Sequence, residues 1–205
     1  MPDRLRPLWD FDDLHGTETR LRDRLTQEAT DEGRAELLTQ LARVEGLRAE
    51  FDACEELLCQ ADELAGQSEV VRVRIDLERG RKLRSSGDGP AAVPLFEAAF
   101  DRACANGLYW FAGDAAHMVA IATPEQMVQW TERGLALAEA EPDAAYWAGP
   151  LLNNLGWHQF EAGDHAAALA TFERALEVRK RDPDNPQAIV WAQEAIDEAR
   201  KALGR

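Results

Sequence analysis

Basic charge is scarce in this sequence. Lysine and arginine number 23 against 38 acidic residues, and only Lys82, Lys180 and Lys201 are lysines. The net charge of −15 argues against a nucleic-acid partner, because binding a phosphate backbone requires a surplus of cations. It argues against an anionic membrane surface for the same reason. No stretch approaches the ~20 consecutive apolar residues needed to span a bilayer, and the opening Met1-Pro2-Asp3-Arg4 lacks the apolar centre of a signal peptide. The three cysteines, Cys54, Cys59 and Cys104, make neither a CxxC pair nor an even disulfide framework. They read as free thiols packed in a reducing cytoplasm. Arginine and alanine in place of lysine fit a GC-rich bacterial genome.

Catalytic motifs are missing too. The sequence contains no HExxH, no P-loop, no GxGxxG after a strand and no GxSxG. His15, His117, His158 and His165 have no zinc-ligand spacing, and a turn at Gly163-Asp164 places His158 and His165 on different helices. His165 reads as a surface residue. The abundant carboxylates fit solvated helix faces. The expectation is a protein that is not an enzyme and takes no cofactor or metal.

What is present is a repeat. Gly80, Gly87, Asp88, Ala92, Phe96 and Ala99 reappear as Gly156, Gly163, Asp164, Ala168, Phe172 and Ala175, each displaced by 76 residues. Half that displacement, 38 residues back from the first set, lands on Ala42, Ala49, Cys54, Leu58 and Ala61. These are small or apolar where the other copies are small or aromatic. A further copy is expected between the two clear ones. Thr131-Glu132-Arg133-Gly134-Leu135 matches Phe172-Glu173-Arg174-Ala175-Leu176 at a separation of 41, which implies a shorter turn.

The spacing has a physical reading. A small residue on the first helix of each pair lets the second approach. The glycine seven residues on ends the first helix in a left-handed turn. Alanine, aromatic and alanine then share one face of the second helix. A lone hairpin cannot bury that face, so hairpins stack. Thr123-Pro124-Glu125-Gln126 reads as a capping box with proline at the first helical position. Asp164, Asn185-Pro186 and Ser68 read as helix starts, and Asp182-Pro183-Asp184 as a helix break. Pro94 and Pro150 each kink a helix or shift its start.

The expected fold is therefore all-α, an α-solenoid of stacked helix-turn-helix hairpins. About ten helices are predicted at roughly 17–30, 34–48, 51–65, 69–85, 89–106, 109–122, 124–140, 144–162, 165–181 and 186–203. Residues 1–205 form one domain. Residues 1–33 are an N-terminal segment and capping helix, 34–183 four hairpin repeats, and 184–205 a C-terminal capping helix.

Residues Leu155-Gly156, Gly163, Ala168, Phe172, Ala175 and Leu176, with Gly80, Gly87, Ala92, Phe96 and Ala99, resemble the tetratricopeptide repeat (TPR). The aromatic expected three residues past the first-helix glycine is Gln159 in one copy and Leu83 in the other, and the usual proline after the second helix comes late, as Pro142 and Pro183. The resemblance covers roughly residues 34–203. It implies a right-handed superhelix with a concave wall of first helices, and protein or peptide binding as the usual role. Chaperone-binding members clamp their ligand with lysine and asparagine. Asn154 matches the asparagine, but the lysines are absent, which argues against a chaperone tail.

On that wall the first-helix residues flanking the small landmarks are Glu36, Thr39, Gln40 and Arg43, then Arg74, Glu78 and Arg81, then Asp114 and His117, then Asn153, Asn154 and Trp157. The candidate partner-binding set is Arg43, Arg74, Arg81, Asp114, His117, Asn153, Asn154 and Trp157. Arginine and asparagine suit a carboxylate or a backbone amide, and Trp157 offers an apolar anchor. The same residues can instead pair with Glu36, Glu45 or Glu78 and pin neighbouring repeats. Trp110, Trp130, Trp147, Trp157 and Trp191 read as core packing. Trp9 and Phe11 read as a cap over the open end of the stack. The last helix, with Ile189, Trp191 and Ile196, is either a polar-backed cap, which is preferred, or a dimer contact. The expected role is a non-enzymatic scaffold for a protein or peptide, monomeric or a homodimer through its terminal helices. Alternatives are a regulatory module sensing a signalling peptide or small ligand, and a self-associating structural protein.

Overall fold

Each predicted hairpin forms where local chemistry starts and stops its helices. The computed structural model describes residues 3–181 and 186–204, among which lie ten α-helices and no strand. They are α1 (Leu14–Gln27), α2 (Asp31–Leu47), α3 (Phe51–Leu64), α4 (Glu69–Ser85), α5 (Gly89–Ala105), α6 (Tyr109–Ala122), α7 (Met127–Ala140), α8 (Ala148–Glu161), α9 (His165–Arg179) and α10 (Pro186–Ala202). Short 3-10 turns occupy Arg6–Leu8, Pro124–Gln126 and Pro142–Trp147.

Side-chain caps satisfy the orphan amides that open five of these helices. Asp13 accepts from Gly16, Thr30 from Gly33, Ser68 from Val71, Asp88 from Ala91 and Asp164 from Ala167. Two caps start helices earlier than expected, since α1 and α2 each begin three residues before their patterns indicate, α1 also ending three residues sooner. The capping box at Thr123 does not form. Its hydroxyl donates back to the Val119 carbonyl, Pro124–Gln126 winds as a 3-10 turn, and α7 begins only at Met127. Pro150 sits in the first turn of α8, where it has no helical bond to break. Pro94 is exposed, and α5 runs on past it to Ala105. The break at Asp182-Pro183-Asp184 and the start at Asn185 lie outside the described residues.

The helices pair as α2 with α3, α4 with α5, α6 with α7 and α8 with α9. Each first helix also meets the next first helix, and α10 packs on α9. The apolar interior follows this order as four clusters rather than one central core, two of them joined through Leu25 and Leu57. Within two hairpins the key contact is an aromatic ring over a glycine. Phe96 and Phe172 are fully buried, and a Cβ on Gly80 or Gly156 would lie 2.4 Å from the facing ring. In the third hairpin Thr131 replaces that aromatic. Gly113 there makes room for Trp147, whose ring a Cβ would meet at 2.3 Å.

The hairpin turns confirm the repeat register at the backbone. Gly87 and Gly163 have φ of 97° and 83°, and Ala49, 38 residues before Gly87, has φ of 62°. Alanine thus holds a left-handed conformation that its Cβ disfavours. Cys54 is buried, Cys59 exposed and Cys104 half-buried, all as free thiols. Burial pushes the Cys54 thiol up to about 11, so it packs as an inert apolar group. Among the described residues no helix is long and apolar enough to cross a membrane.

These contacts set the sign of three substitutions. Gly156→Ala is expected to cost about 1–3 kcal/mol through collision with Phe172. Gly87→Ala, with open space around its Cβ, is expected to cost about 1 kcal/mol through backbone strain alone. Ala49→Gly is expected to gain up to about 1 kcal/mol. Urea unfolding of the three variants checks the order.

Candidate functional site

The first helices α2, α4, α6 and α8 lie side by side, and the predicted residues link them. Arg74 on α4 donates to Glu36 on α2 at 3.2 Å. Arg43 on α2 meets Glu78 on α4 at 3.5 Å. Arg81 on α4 grips both carboxylate oxygens of Asp114 on α6 at 2.6 Å. Asn154 on α8 lies 2.8 Å from Nε2 of His117 on α6. Every step between neighbouring first helices therefore carries a polar bridge, built from residues 33–38 positions apart. That separation is the repeat length.

The charges compensate locally. Arg81 is bonded to both Glu78 and Asp114. Burial would raise the Asp114 carboxyl, but the positive charges of Arg81 and Arg43 outweigh it and hold the group below the ordinary carboxylate range. Burial would likewise lower Arg81, and Asp114 with Glu78 drive it above its ordinary value instead. His117 falls to about 4, first through burial and then through the nearby Arg81 and Arg43, against the pull of Asp114. Its neutral ring meets the Asn154 amide at Nε2, and its Nδ1 is buried without a partner. With its charges neutralised in place, the wall presents hydrogen-bonding groups and aromatic surface rather than net charge. Among the described residues no group of three or more histidine, cysteine or acidic side chains could hold a metal ion.

The eight predicted residues divide into three groups. Arg43, Arg81, Asp114 and His117 form one cluster. Arg74 stands apart, 3% exposed, with its guanidinium 4.6 Å from the Phe111 ring. Asn153, Asn154 and Trp157 line a cavity of about 460 Å³ between α8, α9 and α10, together with Arg179, Trp191 and Glu198. Trp157 is also part of the hairpin interior, its ring 5.1 Å from Phe172. A larger open groove of about 1050 Å³ runs between α7 and α9 and is lined mainly by the second helices.

Three sequence expectations are corrected here. Trp9 and Phe11 do not cover the open end of the stack. That task falls to α1, which packs on α2, while the two rings stack on each other and lie 5.5 and 5.6 Å from the Arg43 guanidinium on the wall. Trp191 is not core. It is 58% exposed, because α10 turns Ala188, Ala192, Ala195, Ile196 and Ala199 inward instead. His165 is half-buried, its ring 4.6 Å from that of Phe160.

Sequence reasoning missed Asp3, Arg4, Tyr146 and Arg179. Asp3 pairs with Arg74, Arg4 with Glu36, and Arg6 reaches the Tyr146 hydroxyl at 3.2 Å. The available signal was the apolar and aromatic set Leu5, Leu8, Trp9 and Phe11 interleaved with charged residues.

Arg81→Ala would strand the buried Asp114 carboxylate and leave Glu78 with Arg43 alone, and is expected to cost about 3–5 kcal/mol in a denaturant melt. The pH dependence follows from His117. The unfolded chain, with histidine near 6.5, takes up a proton before the folded one does. The stability that this residue contributes is complete above pH 6.5 and is lost as pH falls toward 4, a change on the order of 3 kcal/mol. His117→Gln is expected to flatten the melting-temperature profile across that window.

No protein-family model matches the sequence, and no curated protein matches it. Among solved structures, the crystal structure of BtubC (BKLC) from P. vanneervenii is similar, with a TM-score of 0.63 and 18% sequence identity over 98% of this chain and 85% of that one. At this identity the likeness is one of fold.

Proposed function

We propose that the protein is a tetratricopeptide-type interaction scaffold that binds an extended polypeptide along the wall of first helices, in a cytoplasmic setting and without catalysis. The observation that carries this reading is the cavity at the α8–α10 end of that wall. There the amides of Asn153 and Asn154, the Arg179 guanidinium and the indoles of Trp157 and Trp191 converge on about 460 Å³ of open space. Asparagine amides match the donor and acceptor of a peptide bond, and tryptophan provides rigid apolar anchorage, the combination found at the centres of binding surfaces. The hydrogen-bonded ladder supports the reading by holding the wall in one shape, so that a ligand meets a preorganised surface.

The test is recovery of partners with the tagged full-length chain from its native host, compared with an Asn153→Glu/Trp191→Ala variant of unchanged melting temperature. A polypeptide held by the native chain and reduced roughly tenfold or more in the variant, a loss of at least about 1.4 kcal/mol, is the expected result. Equal recovery, or no partner with either chain, overturns the proposal. A second copy of the chain as the only partner replaces it with self-association.

A further inference from the structure

The other half of the wall already holds a peptide. Residues 3–11 make no secondary structure with the helices beneath them, and their backbone bonds to one another are short-range turns such as Arg6 N–H to Asp3 and Trp9 N–H to Arg6. Side chains make most of the contacts to the body, and the backbone of Leu8 and Asp10 adds bonds to Arg20 and Thr17 on α1. Asp3 pairs with Arg74 on α4, and Arg4 with Glu36 on α2. The Trp9 indole N–H donates to the Gln40 side-chain oxygen at 2.9 Å. Arg6 reaches Tyr146 in the Pro142–Trp147 turn. Leu5 is the apolar anchor, buried with Leu21, Leu37, Leu41 and Val44. The segment thus reaches α1, α2, α4 and the turn before α8 from one short stretch of chain, wound as a compact turn about Arg6–Leu8.

Two features separate this seat from an ordinary packed core. Its floor is polar and buried. Arg74, Gln40 and Glu36 are all under 9% exposed, so each needs a partner whenever the seat is filled. The fit above that floor is also incomplete. A void of about 40 Å³ remains among Trp9, Phe11, Arg43, Trp110 and Trp147, and Phe11 is 47% exposed. A short segment whose only regular structure is one 3-10 turn, exposed on its outer side over an imperfectly filled seat, opens at lower free energy than the long helices it covers.

We propose that residues 3–11 are an internal, displaceable occupant of the peptide-binding wall, and that the segment which displaces them is acidic and carries an aromatic side chain. The seat dictates that chemistry. Arg74 takes a carboxylate, Gln40 accepts from an indole N–H, and Arg43 lies against aromatic rings. This inference rests on the peptide-binding reading above and adds a gate to it. A ligand reaching the α2–α4 half must compete with a tethered segment, so its apparent affinity is reduced by the fraction of chains in which the seat is open.

A labelled peptide of residues 1–13 is the probe, titrated by fluorescence anisotropy into the full-length native chain and into a full-length Asp3→Ala/Trp9→Ala variant. The variant is expected to bind the peptide with a Kd at least about tenfold below that of the native chain, because its own segment competes less. Adding Arg74→Ala to the variant should reverse the gain. Equal binding to both chains, or a folded variant that does not bind, overturns the proposal. If the variant does not fold, the native chain decides. With unlabelled peptide added up to about 1 mM, a saturable shift of the Trp9 indole N–H signal toward its unstructured position, with that of Trp130 unmoved, supports displacement, whereas a static Trp9 signal overturns it. Failure of this experiment while the Asn153- and Trp191-dependent partner is still recovered would remove the gate and leave the binding wall.

Discussion

The polar bridge between one first helix and the next is the contact on which the site depends. Glu36 to Arg74, Glu78 to Arg43, Arg81 to Asp114 and His117 to Asn154 each join adjacent helices. A buried ion pair stabilises little in itself, because desolvation consumes most of the Coulomb gain. What it contributes is register. A one-turn slip of α4 against α6 would leave the Arg81 and Asp114 charges unpaired in a poorly hydrated setting, which is far more costly than a slip of apolar side chains. The aromatic-over-glycine contacts bring the two helices of a hairpin together, and the bridges then set where one hairpin stands on the next.

The bridges also account for where the charge of this acidic chain lies. Carboxylates and guanidiniums alternate along the wall and neutralise one another, so the surplus of acidic residues resides elsewhere in the chain. In the proposed binding role, such a wall would discriminate between ligands by hydrogen-bond geometry and aromatic fit rather than by long-range attraction. It divides into an open end, where Asn153, Asn154, Trp157 and Arg179 line a cavity, and an end covered by residues 3–11. The two ends meet at Tyr146, which receives Arg6 of the segment and has the Arg179 guanidinium 5.7 Å from its ring.

The helices and their turns were legible in the sequence because their causes are local. Capping side chains, the 38-residue spacing and the small–aromatic pairing act over a few residues or repeat at a set interval. Even the left-handed turn at Ala49 could be found by counting back from Gly87. The errors arose where a local signal had a competitor. The Thr123 hydroxyl had a carbonyl of the preceding helix within reach and donated to it, so the capping box did not close. The apolar stripe of α10 included Trp191 by periodicity, but alanines permit a closer approach to α9, and the packing selected them.

For the candidate site, the sequence by itself determined which residues belong to the row of first helices, because helical periodicity assigns faces without reference to anything distant. Only the tertiary structure decided what those residues do there. Whether an arginine on that row meets a ligand or a glutamate depends on the rotation and spacing of the neighbouring helix. Whether Trp9 caps an end or lies on the wall depends on the path of a chain whose only regular structure is the short 3-10 turn at Arg6–Leu8. These are pairings between residues 31–71 positions apart, and no local propensity encodes the partner of a charge at that distance.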